Sequence, residues 1–165
     1  MSKAHKHQCP LARMLNLFGD HWSWLIIREC FYGATRFSTF QRNTGVAKNL
    51  LSDRLAMLVS EGVLEKRNVG ERGTRYAYHL TEKGRELETV MIAMFQWGNK
   101  HLFGGEEPPI AIVDKEKLEP VRTMQMTAQD GRRLSMQDLA VLPRQSAKNA
   151  TRRRLSEIPG NPKQT

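Results

Sequence analysis

Eight basic side chains occur in two groups on neighbouring stretches of the chain, and their chemistry suits phosphate binding. They are Arg36, Arg42, Lys48 and Arg54, followed by Lys66, Arg67, Arg72 and Arg75. Guanidinium and ammonium groups make charge-assisted hydrogen bonds with phosphate oxygens, which position a protein on nucleic acid without reading its sequence. The whole chain carries 26 Lys and Arg against 17 Asp and Glu, a formal charge of +9. This balance favours a polyanionic partner, with nucleic acid the leading class.

Four polar residues at the start of a predicted helix are candidates for contacts with bases. Over residues 46–61 the apolar side chains recur at helical spacing, so the opposite face is polar and carries Lys48, Asn49, Ser52 and Asp53. Asparagine can bind adenine through two hydrogen bonds, and the first turns of such a helix are the part that reaches base edges. Arg54 is left open between a DNA contact and a structural role, in which it turns back to a carboxylate such as Glu61 or caps a neighbouring helix.

Cys9 is a candidate redox sensor, and the sequence suggests why its thiol should be reactive. It directly precedes Pro10, a residue that can begin a helix, and the positive end of a helix dipole favours a thiolate. Nearby Lys3, His5, Lys6 and His7 add positive or chargeable groups, which should lower the pKa of Cys9 further. Cys30 lies on the apolar stripe of the second predicted helix, so we expect it to be buried and unreactive.

Other kinds of site find little support in the residues. His5, His7 and Cys9 are close together but lack the further ligands of a closed zinc site, so no metal is expected. We find no Gly-rich phosphate loop, nucleophile elbow or carboxylate pair, and we therefore expect neither an enzyme nor a bound cofactor. The sequence has no signal-type segment and no apolar run of membrane-spanning length, which favours a cytoplasmic protein without a membrane partner.

These candidate residues need a scaffold of helices followed by a hairpin. The spacing of apolar residues predicts helices over residues 10–18 and 21–32, a short helix over 38–43 and a fourth helix over 46–61. Strands over residues 63–67 and 75–80 form a basic hairpin, and one long helix follows over 82–103. This order is that of a winged helix-turn-helix, a mainly α fold with a small β-hairpin wing.

The sequence after the long helix predicts a smaller appendage. Residues 104–109 are rich in glycine, glutamate and proline and are typical of a linker, so we divide the chain into 1–104 and 105–165. Short strands are predicted over residues 110–113, 121–128 and 139–142, giving a β-rich extension. Residues 144–165 are basic and polar, which leaves a frayed helix and a disordered tail as alternatives.

Several ordered motifs over residues 9–103 closely resemble the HxlR family of MarR-like regulators. They are Cys9-Pro10, the stretch from Gly19-Asp20-His21-Trp22 to Arg28, Gly33, Arg36-Phe37, Leu51-Ser52-Asp53-Arg54-Leu55, Glu61-Gly62-Val63-Leu64 and Tyr78-His79-Leu80-Thr81-Glu82-Lys83-Gly84. The resemblance implies a dimeric transcriptional regulator in which the first and last helices of the domain form the dimer contact. It also implies that the Cys-Pro position can sense oxidants or electrophiles, as in some members. Residues 110–155 resemble a C-terminal extension that some members carry.

The long helix gives an independent reason to expect a homodimer. Its apolar residues cover more than one face, and a single domain of this size can hide only one of them. Candidate interface residues are Leu11, Leu15, Met94, Trp97 and His101. A two-fold dimer would bind a pseudo-palindromic operator and would meet RNA polymerase only indirectly. Asn49-Leu50 departs from the family pattern of lysine and a small residue, so no operator sequence is carried over.

One alternative function stays open at this point. The same winged helix could bind a protein or an RNA without promoter specificity, because a fold does not fix a function.

Overall fold

The chain folds into two compact units that do not follow the order of the sequence. The structure is a computed structural model and describes residues 9–71 and 73–162. Within this range, residues 18–123 form one unit, and residues 9–17 join residues 124–162 in the other. The division of the chain into residues 1–104 and 105–165, made from the sequence, stays a prediction.

Four helices occupy the first part of the chain, as predicted. They are α1 (Pro10–Phe18), α2 (His21–Phe31), α3 (Phe37–Thr44) and α4 (Lys48–Ser60). The side chain of Asp20 caps α2 by accepting a hydrogen bond from the Ser23 amide at 3.0 Å. Helices α2, α3 and α4 share one core, and its buried side chains include Ile26, Ile27, Phe40, Leu51, Leu55 and Leu58. Burial of this apolar surface holds the helix-turn-helix together.

The hairpin that follows α4 packs against the helices through both strands, the first against α4 and the second against α2 and α3. Strands β1 (Leu64–Asn68) and β2 (Tyr76–Leu80) pair in antiparallel register, with Leu64 opposite Leu80. The Tyr78 amide donates to the Thr35 carbonyl, in the loop between α2 and α3, at 2.8 Å. The winged helix-turn-helix fold predicted from the sequence is thereby confirmed.

The prediction of a single helix over residues 82–103 is wrong, because the segment contains two helices. These are α5 (Glu82–Arg85) and α6 (Glu88–His101). The hydroxyl of Thr81 donates to the Gly62 carbonyl at 2.6 Å and accepts from the Gly84 amide at 3.1 Å. Gly84 lies so close to the backbone of Val63 that a Cβ there would be 2.2 Å from the Val63 carbonyl oxygen. These contacts fix α5 against the start of the hairpin, and α6 begins separately.

The C-terminal extension differs from the β-rich structure that we predicted. The three expected strands are replaced by two isolated bridges, Val113 with Pro120 and Thr127 with Arg133. Around the first bridge, the amides of Asp114 and Val121 donate to the carbonyls of Glu119 and Ile112, and the pairing does not extend into a ladder. A turn of 3-10 helix, Met136–Asp138, precedes α7 (Asn149–Ser156).

The basic tail of the extension contains an ordered helix, so the helical alternative is correct for α7. Arg152 donates to the backbone carbonyls of Arg144, Gln145 and Ala147 at 2.9 to 3.1 Å. Asn161 bonds both the amide and the carbonyl of Val141. Side-chain bonds to the backbone therefore organise a segment that has little apolar core.

Candidate nucleic-acid interface

The exposed face of α4 carries the four residues predicted to approach bases. Lys48, Asn49, Ser52 and Asp53 are all exposed, whereas Leu51, Leu55 and Leu58 on the other side of the helix are buried. The helix thus presents a continuous polar surface over its first two turns. This is the arrangement that a recognition helix needs for entry into a major groove.

The turn before α4 explains why this helix begins two residues later than predicted. Gly45 ends α3 in the left-handed conformation, with φ of 72°, and its amide donates to the Gln41 carbonyl at 2.9 Å. The hydroxyl of Thr44 donates to the Phe40 carbonyl at 2.7 Å. Val46 is buried in the turn and anchors it in the core. Residues 46 and 47 thus belong to the connection, and the helix starts at Lys48.

Arg54 is held within the protein, unlike its neighbours on α4. Its Nε lies 3.1 Å from Oδ1 of Asp20, in the geometry of an ion pair rather than of an aligned hydrogen bond. The Arg54 and Asp20 side chains are only 32% and 24% exposed. The structure therefore favours the structural alternative for Arg54, with Asp20 instead of Glu61 as the carboxylate.

Two basic side chains flank the turn unit on its exposed side. Arg36 is the N-cap residue of α3 and is exposed, and Arg42 is exposed in the last turns of the same helix. Nε of Arg42 donates a long hydrogen bond of 3.4 Å to Oδ1 of Asn43. Arg36, Arg42 and Lys48 are therefore all accessible to a partner from solvent.

The wing carries its basic residues in different local settings. Nζ of Lys66 lies 3.7 Å from the centre of the Tyr76 ring, and Arg67 forms an ion pair with Glu65 on the same strand. Arg75 is exposed. Arg72 lies outside the described residues, and its role stays a prediction. Lys66, Arg67 and Arg75 accordingly offer charge along the hairpin, with Arg67 partly neutralised.

Two polar residues that were not identified from the sequence, Asn68 and Glu29, make hydrogen bonds that hold the wing loop and the helices in place. Oδ1 of Asn68 accepts hydrogen bonds from the amides of Gly70 and Arg75, at 3.1 and 3.2 Å, and so shapes the loop of the wing. Glu29 is only 4% exposed and bonds Arg28 and Asn43. A carboxylate among the apolar residues of α2 was the sequence feature that could have revealed Glu29.

Cys30 is half-buried rather than buried as predicted, and Cys9 is half-buried too, but the pKa values of the two thiols shift in opposite directions. Backbone amides of Ala12 and Leu11, at the start of α1, hydrogen-bond the Cys9 sulfur and lower its pKa, and the charge of Arg154 acts in the same direction. Burial raises the pKa of Cys30 to about 12. Both cysteines are free thiols. Lys3, His5, Lys6 and His7, which we expected near Cys9, lie outside the described residues.

The candidate dimer residues are exposed within the single chain. Leu11 and Leu15 on α1 are exposed, as are Met94, Trp97 and His101 on α6. The rings of Trp97 and His101 stack obliquely with centroids 5.2 Å apart. No residue of α6 is buried, so its apolar side chains remain available for a partner.

The described residues lack features of a membrane span or a metal site. Over 9–71 and 73–162, no helix combines the length and apolar character needed to cross a membrane. The same residues contain no cluster of three or more His, Cys, Asp or Glu side chains that could hold a metal ion.

Comparison with protein families identifies the segment that contains this surface. A family model described as HxlR-like helix-turn-helix matches residues 17–105. Rv3095 of Mycobacterium tuberculosis, an uncharacterized HTH-type transcriptional regulator, is 39% identical over 102 residues. This match covers 62% of the present chain and 65% of Rv3095, so the chain spans slightly less than two thirds of that relative's length.

Solved structures extend the similarity to the fold. PA1607, a candidate transcription factor, has a TM-score of 0.78 at 40% identity, and the match covers 82% of this chain and 95% of PA1607. This coverage exceeds the helix-turn-helix segment and therefore includes part of the extension. The redox regulator HypR in its reduced form has a TM-score of 0.53 at 25% identity, covering 59% of this chain and 100% of HypR.

Proposed function

The chain belongs to the HxlR-like helix-turn-helix family, and we propose that it regulates transcription as a homodimer that binds specific sequences of double-stranded DNA. The observation that carries this proposal is the exposed polar face of α4, with Asn49 and Ser52 at its centre and exposed arginines on the neighbouring elements. A basic, polar helix beside a basic wing is the surface that a winged helix uses on duplex DNA.

The side chains divide into two roles according to their position. Lys48, Asn49, Ser52 and Asp53 lie on the part of α4 that would enter the major groove, and we assign base or near-base contacts to them. Phosphate contacts are assigned to the basic residues around the helix and on the wing, which are Arg36, Arg42, Lys66, Arg67, Arg72 and Arg75. Arg54 is assigned mainly to the ion pair with Asp20.

The exposed apolar side chains of α1 and α6 support the proposed dimerisation. Met94 and Trp97 are 48% and 60% exposed, which is unfavourable for a large apolar side chain unless a partner covers it. A two-fold axis would place two recognition helices about 34 Å apart, matching half-sites separated by one turn of DNA or a multiple of it.

Oxidants or electrophiles are the proposed class of input, with Cys9 as the sensor. The thiol lies at the first turn of α1, where backbone amides lower its pKa and favour the reactive thiolate. Similarity to the redox regulator HypR supports this assignment. Modification of Cys9 next to a helix of the dimer contact could change the separation of the recognition helices and release DNA.

The decisive experiment is selection of bound fragments from a randomised pool of duplex DNA with the full chain. We expect recovery of a two-fold-symmetric motif whose binding weakens steeply as salt rises. Recovery of no motif, combined with equal binding to all duplexes or a preference for RNA or protein, would overturn the proposal in favour of an interaction module.

A further inference from the structure

A buried carboxylate links α2 to the end of α3. Oε1 of Glu29 accepts from Nη2 and Nε of Arg28, at 2.7 and 3.2 Å, and Oε2 accepts from Nδ2 of Asn43 at 2.7 Å. Both oxygens of this nearly inaccessible side chain therefore have a donor. A buried charge is tolerated only with such partners, because removing either donor leaves a desolvated carboxylate oxygen unpaired.

The place of this link in the fold gives it a consequence for α4. Asn43 lies in the last turn of α3, immediately before Thr44 and Gly45, where the chain turns into the recognition helix. The carbonyl of Glu29 also accepts from the Ala34 amide at 2.9 Å, which fixes the end of α2. A side chain of α2 thus holds the last turn of α3 just before the connection that leads to α4.

We propose that Glu29 is a positioning residue, which sets the orientation of the recognition helix through its bond to Asn43. This role rests on the proposed function, since an orientation matters only if α4 reads DNA. A small rotation of α4 would displace its base contacts, whereas phosphate contacts by flexible arginines tolerate such a change. Loss of the link should therefore lower sequence preference more than general affinity.

The test exchanges donor and acceptor between the two positions. Asn43→Asp places a second carboxylate against Glu29, so the bond is replaced by repulsion between like charges. Glu29→Gln alone should be mild, because the Asn43 amide can turn over to accept from the new amide. In the double variant, the amide introduced at position 29 can accept from Arg28 and donate to the carboxylate introduced at position 43. Each hydrogen-bond donor of the link then faces an acceptor again, as in the wild type.

The readout is the ratio of affinities for the selected operator and for random duplex DNA, measured for each variant. Asn43→Asp should lower this ratio about tenfold, comparable with one mismatched base pair. The double variant should regain the wild-type ratio, and its net charge equals that of the wild type because one carboxylate is removed and one is added.

Ile27→Val is the matched control, because it removes a buried methylene from the same helix without touching the link. It should reduce stability and leave the ratio unchanged. If Asn43→Asp does not fold, Asn43→Ala replaces it and should lower the ratio about threefold, since a bond to a charged group is lost.

Two different results would overturn the idea. An unchanged ratio in a folded position-43 variant, or a double variant that keeps the defect, would remove the positioning role and leave the DNA-binding proposal intact. A wild-type protein without any sequence preference would overturn both.

Discussion

Replacing Arg54 should mainly lower the free energy of unfolding and should have a smaller effect on DNA affinity. The Arg54 and Asp20 side chains are about two-thirds and three-quarters shielded from water, at 32% and 24% exposure. Exposed ion pairs contribute about 0.2–1 kcal/mol, and breaking a fully buried pair costs about 3–5 kcal/mol. The pair lies between these limits, so Arg54→Ala should lower the free energy of unfolding by about 1–2 kcal/mol.

A double-mutant cycle isolates the pair from the other role of Asp20. Asp20→Ala also removes the cap of α2, which adds about 1 kcal/mol to its cost. The double variant should therefore lose less than the sum of the two single variants, with a coupling energy of about 1 kcal/mol. Denaturant unfolding supplies the free energies, and titration with operator and random DNA at fixed salt supplies the affinities.

Arg75→Ala is the matched control for this experiment, since Arg75 is exposed on the wing. It should weaken DNA binding and leave unfolding unchanged. Two results together would refute the structural role of Arg54. The coupling energy between Arg54 and Asp20 would lie within about 0.3–0.5 kcal/mol of zero, the usual limit of additivity. In addition, Arg54→Ala would lose as much DNA affinity as Arg75→Ala.

Four further predictions concern DNA binding, assembly and the thiol. Asn49→Ala should reduce discrimination between operator and random DNA by about 1–3 kcal/mol, and an equal loss on both DNAs would contradict its role as a base reader. Arg75→Ala should weaken all duplexes similarly and reduce the slope of log affinity against log salt by about one per subunit, which salt titrations would show. Met94→Glu should shift the protein from dimer to monomer in micromolar sedimentation, because it places a charge on the apolar face of α6. Diamide should release operator DNA from the wild type but not from Cys9→Ser, and equal behaviour of the two proteins would exclude Cys9 as the sensor.

Local pattern accounts for most of what the sequence predicted correctly. The spacing of apolar residues located α1 to α4, and glycines at residues 45 and 62 marked the ends of α3 and α4. The same pattern separated the buried face of α4 from its exposed polar face. These features depend on hydrogen bonds and burial within one element, so they can be read from a short stretch of sequence.

The errors arose where distant segments decide local structure. The segment predicted as one helix over residues 82–103 is divided, and its first part is held by contacts of Thr81 and Gly84 with residues 62 and 63, about twenty positions earlier. The strands expected in the extension lack a continuous partner strand, since pairing there is limited to two isolated bridges. Periodicity alone could not reveal either constraint.

The sequence by itself determined the fold class, the basic surface and which face of α4 meets solvent, because composition and helical spacing are properties of the chain. Only the tertiary structure decided how individual polar groups are used. Arg54 pairs with Asp20, Glu29 binds Asn43, and Asn68 shapes the wing. A charged or amide side chain can have many partners, and its role is decided by which donor or acceptor the fold brings within about 3 Å.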